Sequence, residues 1–364
     1  MLPDVLIVGA GPTGLATALE LVRYGSRPRI IDRLPTPTPF SRAIGVNART
    51  LELMSPFGLD GVLLAAGHVL PRLNLRTPDR LIATVDFSQM HHRFNHLLAL
   101  AQSETERLMT ERLAQGGIEV ERGVELLHFM QDAGGVTATL RNGRQESEVR
   151  VAYLLGADGS HSPVRAGLGV EMPGWTDPQP WSLADIRGEW PFERGAVQLI
   201  AQPGRAVLAF PFGDDLVRVV SSAGNVLEQL PTGTQVSEVV WQSGFRISAR
   251  LATTYGQGRV FLAGDAAHLH SPVGARGMNL GIEDGIVFAR KLAGGELKTY
   301  GPERRALAAH VVRLTEWQTR LVTTALPLLR GVRNLMLPTV LSLPAARDAI
   351  LREVSGLRSP SRGA

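Results

Sequence analysis

The stretch Val5–Asp32, VLIVGAGPTGLATALELVRYGSRPRIID, decides the fold. Val5 to Val8 form a short apolar run that stops at Gly9-Ala10-Gly11-Pro12-Thr13-Gly14, and apolar residues then recur at helical spacing to about Tyr24. After Gly25 a second run, Arg29 to Ile31, ends in Asp32, 23 residues beyond Gly9. The pattern predicts strand, glycine turn, helix and strand, the opening unit of a dinucleotide fold. Gly9 makes the tight turn, Gly11 lets the backbone meet a pyrophosphate, and Gly14 lets the helix pack closely on the strand. Asp32 suits two ribose hydroxyls and repels a 2′-phosphate, so the expected ligand is the ADP part of FAD or NAD, not NADP. Pro12, Thr13 and Arg33 lie within these turns and join the expected contacts.

A second informative stretch runs from Arg259 to Gly285, RVFLAGDAAHLHSPVGARGMNLGIEDG. The apolar run Val260 to Ala263 stops at Gly264-Asp265, passes through a loop with Pro272, Gly274 and Gly277, and resumes helical spacing at Met278 and Asn279. Glycines let backbone N–H groups approach a ligand, and a helix start adds about half a positive charge, so this loop is expected to hold an anionic or dipolar group. Asp265 is the acceptor suited to ribityl or sugar hydroxyls.

Composition bounds the chemistry. At 364 residues the chain can bury a large core and accommodate two or three domains. It has no cysteine, which excludes disulfides, thiolate nucleophiles and zinc-thiolate sites, and no metal site is expected. Redox chemistry would therefore belong to a bound cofactor. The net charge is +4, and the only lysines are Lys291 and Lys298. Basic residues form no tract and no aromatic-interleaved patch, so nucleic acid is not expected as a partner. The N-terminus lacks a basic leader region and no window is long and apolar enough for a membrane span, so a cytoplasmic location is expected.

Between the two informative stretches the sequence suggests two short strands over 73–87, a helix from Glu104 to Gln115, and strands near Glu119, Val124 to Met130, Val136 to Arg141 and Glu148 to Tyr153. The last group reads as a small antiparallel appendage. Gly156-Ala157-Asp158-Gly159-Ser160 is a second strand-to-helix junction with an acid at the turn. Short β-type runs from Trp181 to Ser222 suggest a separate sheet. From Leu297 the spacing is helical, with Pro327, Pro338 and Pro344 expected to break it and a disordered tail expected after Leu357.

Three of these segments together resemble a known family. GAGPTG with Asp32, GADGSHSPVR in the middle and RVFLAGDAAHLHSPVGARGMNLGIEDG late resemble, in order and spacing, the fingerprints of single-component FAD-dependent aromatic hydroxylases, the group A flavoprotein monooxygenases. The likeness spans about residues 5–305 and leans toward the aromatic polyketide and phenol hydroxylase branch. It implies a p-hydroxybenzoate hydroxylase-like α/β architecture. The FAD-binding domain would comprise 1–72, 101–176 and 248–296, the substrate-binding antiparallel sheet 73–100 and 177–247, and the C-terminal helical region 297–364. The segment 351–357 resembles the link to a thioredoxin-like domain; the sequence stops at Ala364, so that domain is expected to be lacking.

The resemblance also implies roles. Gly9, Gly11 and Gly14 would hold the FAD pyrophosphate and Asp32 the adenosine ribose. Arg42 would reach a phosphate, Gln102 would stand beside the cofactor, and Asp158 would serve FAD and the reduced nicotinamide. Gly264-Asp265 would bind the ribityl or ribose hydroxyls. Pro272, Gly274, Gly277, Met278 and Asn279 would face the isoalloxazine, and Pro272, Gly274 and Arg276 would border the reacting centre. The chain departs from the family where Gly274-Ala275-Arg276 replaces Gly-Gly-Gln, leaving Arg276 either as a cation near the flavin or turned to solvent. The expected partners are NADH or NADPH, O2 and an aromatic substrate, with a homodimer as the possible assembly. His91, His92, His96 and His270 are candidate bases, each with a structural role as the other reading, while His268 is expected to brace the turn after Asp265. The same scaffold also serves FAD reductases or oxidases of apolar substrates and non-catalytic FAD-binding proteins.

Overall fold

A computed structural model describes residues 4–39 and 43–357. Val5–Val8 is the centre of a six-stranded sheet, parallel to Arg29–Asp32 on one side and Tyr153–Gly156 on the other, and Tyr153–Gly156 is in turn parallel to Val260–Leu262. Val8 pairs with Gly156, and Gly156 with Leu262. Three strands remote in sequence thus end side by side, and the turns that follow them, GAGPTG, GADGS and GD, emerge at one edge of the sheet. Ligands of open α/β sheets bind at this carboxyl edge.

Helices Pro12–Arg23 and Gly277–Ala293 cover one face of this sheet and approach each other closely, because Gly281 and Gly285 present no side chain to the first helix. A Cβ on Gly281 would collide with Thr13 Oγ1 and one on Gly285 with Thr17 Oγ1. The antiparallel sheet Val124–Asp132, Gly135–Asn142 and Gln145–Val151 matches the expected appendage. The strand expected near Glu119 does not belong to it. Val120–Arg122 instead pairs in parallel with Arg29–Asp32 as the outer strand of the main sheet. At three residues it is too short for its own alternation to reveal its partner.

A second, seven-stranded sheet has the order Gln235–Phe245, Trp181–Glu189, Leu216–Ser221, Arg205–Phe212, Ala196–Gln202, Arg72–Arg76 and Leu81–Asp86. It is antiparallel except where Ala196–Gln202 meets Arg72–Arg76. Alternation along these strands separates two apolar faces: Leu183, Leu208, Phe210 and Val220 pack on one, Ile186, Val207, Ala209 and Val219 on the other. The first face looks across a cleft at the carboxyl edge of the parallel sheet. The long outer strand Gln235–Phe245 escapes the sequence reading because it is exposed or half-buried throughout.

The C-terminal region forms helices Tyr300–Thr323, Pro327–Ser342 and Pro344–Val354. Pro327 and Pro344 occupy first-turn positions, where a missing N–H costs nothing. Pro338 does not break the chain as expected; it lies inside the second helix. The tail expected to be disordered lies outside the described residues. No described helix is long and apolar enough to cross a membrane.

The close helix pair gives a direct prediction. Gly285→Ala should destabilise the protein by about 1–3 kcal/mol through overpacking. Gly61→Ala, where an added Cβ meets nothing within 4 Å, should be neutral or stabilising by up to ~1 kcal/mol. Urea midpoints of both variants check this.

Candidate functional site

The cleft between the two sheets has a volume of about 930 Å3, near the upper end of ligand sites. Its walls bring together Gly11, Pro12 and Thr13, the loop after Ala157, Asp265, and Pro272 with Ala275 to Met278. Segments far apart in the chain therefore form one site.

At the first turn, Gly9 has φ +104° and packs against the Ala157 carbonyl, so only glycine fits there. A Cβ on Gly14 would collide with the Gly9 carbonyl, while one on Gly11 meets nothing within 4 Å. Gly11 caps the helix Pro12–Arg23 without a side-chain hydrogen bond. Open space over an uncapped helix start is what a pyrophosphate requires. Asp32 is engaged locally: Oδ2 accepts from the Ala10 N–H at 2.8 Å and Oδ1 from the Leu34 N–H at 2.9 Å, which fixes the glycine turn. Arg33 is exposed and does not line the cleft. Arg42 lies outside the described residues. The following Ala43 carbonyl accepts from the Gln102 N–H and from Arg218, both at 3.1 Å. Gln102 lines the cleft, with its side-chain amide donating to Glu106 at 2.8 Å.

At the second turn, Asp158 Oδ2 accepts from the Val164 N–H at 3.0 Å, bracing the short helix Pro163–Gly167. Asp158 Oδ1 is buried without a partner, and burial pushes the carboxyl above its ordinary value. Asp158 is absent from the cleft wall, which its neighbours Ala157 and Gly159 form. Arg165 ties the second turn to the third, donating to the Ser160 and Ala266 carbonyls at 2.9 and 3.0 Å.

The third turn is held from beneath. Gly264 has φ +62°, and a Cβ there would sit 2.5 Å from Thr13 Oγ1. The Gly264 N–H donates to Asp284 Oδ2 at 3.1 Å, and Asp265 is left exposed on the cleft wall. Asp284 also accepts from His268 Nε2 at 2.8 Å and Arg304 Nε at 2.6 Å. Burial opposes the Asp284 charge, yet Arg304 and His268 outweigh it and hold the carboxyl below its ordinary range. Arg304 donates in addition to Glu283 at 3.1 Å, and Arg49 reaches Glu283 at 3.2 Å. Sequence reasoning assigned no role to Asp284, Glu283, Arg304 or Arg49. The available signal was two adjacent acids in the otherwise apolar segment GIEDGIVFA. His268 does brace this turn.

In the loop itself, Pro272 lines the cleft and its carbonyl accepts from the Ala275 N–H at 2.9 Å. Gly274, with φ +94°, faces Gln318 on the far side and is not part of the wall. Ala275 is the one non-glycine among the described residues with positive φ, at 51°. Gly277 and Met278 line the cleft at the helix start. The Asn279 side chain does not face it. It accepts from the Asn47 N–H and Thr50 Oγ1 at 3.1 and 2.7 Å and donates to the Gly45 and Ala275 carbonyls at 2.8 and 2.6 Å. Its role is to clamp the loop. Arg276 is not turned to solvent: it is buried, borders the cleft and donates to Glu353 of the C-terminal helix.

Of the four candidate bases, only His270 lines the cleft. His91 is exposed, His92 Nδ1 is occupied by the Phe94 N–H at 3.1 Å, and His96 lies elsewhere. His270 Nδ1 donates to the Ser271 carbonyl at 2.9 Å, leaving Nε2 as an unpartnered lone pair. Burial first, then the His268 and Arg276 charges, push its pKa down to about 4.

A glycine cradle over a helix start, an exposed carboxylate, Asp265, on the cleft wall and a second uncapped helix start facing an apolar wall fit a nucleotide-bearing redox cofactor. The class of protein so defined is a dinucleotide-dependent enzyme. A family profile described as an FAD binding domain matches residues 3–223 and 222–315. The 6-methylpretetramide 4-monooxygenase of Streptomyces rimosus is 35% identical, the match covering 97% of this chain and 67% of that protein. The anhydrotetracycline hydroxylase OxyS of Streptomyces rimosus aligns at a TM-score of 0.82 and 34% identity over 100% of this chain and 78% of that one. An aklavinone-11 hydroxylase solved with FAD and aklavinone aligns at 0.76 and 27%, over 89% and 69% of the two chains. The chain belongs to the FAD-dependent aromatic monooxygenases. Its cofactor is FAD, and the residues at the carboxyl edge fit it.

Two predictions test this framework. Arg304→Met, which strands Asp284 and Glu283 as buried carboxylates, should cost about 3–5 kcal/mol, read from denaturant midpoints. The second concerns pH. Unfolded His270 takes up its proton near 6.5 and folded His270 near about 4, so between these values the unfolded state binds more protons. Stability should therefore fall as pH drops through this window, and His270→Gln should flatten the fall.

Proposed function

We propose that the protein uses NADH or NADPH and O2 to hydroxylate a phenolic, polycyclic aromatic substrate at the flavin face of the cleft. The observation that carries this reading is the apolar wall of Leu183, Leu208, Phe210 and Val220 standing opposite Pro272 and the helix start at Gly277. A planar aromatic fits between such a wall and a flavin, and a water-poor pocket lets oxygen transfer win over loss of peroxide. In this reading Gly9, Gly11 and Gly14 cradle the pyrophosphate and Asp265 holds ribityl hydroxyls. The backbone N–H groups at Met278 stabilise charge on the reduced flavin. The seven-stranded sheet is the substrate side and the parallel sheet the cofactor side. The kinship to enzymes named for 6-methylpretetramide, anhydrotetracycline and aklavinone supports a fused-ring phenol.

The reductant places the activity in the cytoplasm, where reduced nicotinamides are supplied. A homodimer is the assembly we favour, because helix Pro327–Ser342 exposes Leu328 and Leu335 at 78% and 74%.

Purified protein should carry FAD, and its oxidation of NADH or NADPH should accelerate when a hydroxyanthraquinone or simple phenol is added, with one oxygen atom gained by the aromatic compound. Reductant oxidation that no member of a phenol and polyketide panel stimulates would overturn the proposal. Asp265→Ala should lose FAD while the fold, read by circular dichroism, is kept.

A further inference from the structure

Arg276 is an unusual residue to bury at this place. One guanidinium nitrogen, Nη1, donates to the Glu353 backbone carbonyl and, at 3.4 Å, to the Glu353 carboxylate. Its Nε is buried without a partner, and the side chain borders the cleft beside Gly277 and Met278. An unsatisfied buried N–H costs stability, which a neutral strut in the same place would avoid. The positive charge itself is the property such a placement retains.

The partner comes from the far end of the chain. Glu353 lies in the last turn of helix Pro344–Val354, and this segment is fastened to the site by contacts independent of Arg276. Leu351 is buried in the same apolar cluster as Leu183, Phe210 and the loop residue Val273. The Ser355 carbonyl accepts from the Arg49 N–H at 3.1 Å, and His310 stands 3.4 Å from Glu353 Oε2. Among the described residues, the other charges that act on Arg276 are Glu283 and Arg304, and Glu283 is already shared between Arg304 and Arg49. Glu353 is therefore the acid whose removal would change the charge state around Arg276 most directly.

We propose that Glu353 is a positioning residue that holds Arg276 at the flavin-facing helix start with its charge partly neutralised, so that the C-terminal helix sets how strongly the protein stabilises negative charge on the flavin. A paired guanidinium in a site of low dielectric exerts a weaker field than an unpaired one, and the field acts where reduction places charge. The inference rests on the reading of residues 272–278 as the flavin face.

Sulfite binding to the oxidised FAD-loaded protein tests it without substrate or turnover. Sulfite adds reversibly to flavin and leaves negative charge on the ring, so its dissociation constant reports nearby cations. Glu353→Gln should tighten sulfite binding by about fivefold, and Glu353→Asp, which keeps the charge, should stay within about twofold of wild type. Arg276→Gln should weaken sulfite binding by about fivefold and abolish the response to Glu353→Gln. An unmoved sulfite constant in Glu353→Gln, or the same tightening in the Arg276→Gln background, overturns the inference. Where Glu353→Gln does not fold, Arg276→Gln decides alone: an unchanged constant overturns the inference. FAD uptake with unmoved sulfite binding overturns this inference only, whereas failure to take up FAD overturns the reading of the cleft as well.

Discussion

The site depends on one buried carboxylate. Asp284 receives the Gly264 N–H, His268 and Arg304, and so fixes the turn after the third parallel strand, the ring that follows it and the helix that begins at Gly277. An isolated charge in this interior would be expelled or protonated. Here Arg304 compensates it, Glu283 accepts from a second guanidinium nitrogen of Arg304, and Arg49 completes the chain. Each member is tolerable only because the others are present, so the network holds helix Tyr300–Thr323, helix Gly277–Ala293 and helix Ala48–Met54 in one arrangement. Asp265, immediately beyond Gly264, owes its exposed position on the cleft wall to this arrangement.

Glycine then brings the cofactor elements together. Gly9 presses on the Ala157 carbonyl, Gly264 on Thr13, and Gly281 and Gly285 on the first helix, so the three turns and the two helices approach closely. Gly11 and Gly159 face open space at this edge, and the space over Gly11 lies where a pyrophosphate would need it. Across the cleft the opposite logic holds. The second sheet contributes apolar side chains and keeps a buried ion pair, Arg218 with Asp185 at 2.7 Å, bound also to the Ala43 carbonyl. A polar, backbone-built cofactor edge thus faces an apolar wall, the division of labour an oxygen-transferring flavin requires.

The C-terminal helices are more than a cover. Through Glu353 and Ser355 their end reaches both the loop at Arg276 and the helix start at Arg49. The chain spans about two thirds to three quarters of the length of the relatives it matches. The segment 351–355 lies against the site itself.

By itself the sequence determined the turns and helix starts at the carboxyl edge of the parallel sheet. Glycines at fixed spacing, an acid at a strand end and short apolar runs are local signals, since turn sterics and helix-start electrostatics act over a few residues. They were sufficient for Gly9 to Gly14, for Gly264-Asp265 and for the helix start at Gly277. Tertiary structure decided the rest, because a side chain's partner is set by which strands and helices become neighbours. Asn279, expected to face the flavin, is used as a clamp on Asn47 and Gly45. The Asp158 carboxylate braces a helix, and Val120–Arg122 joins a sheet more than 80 residues behind it in the chain. Arg276 was open between flavin and solvent in the sequence. It is buried against a glutamate 77 residues later, a distance over which no local pattern carries information.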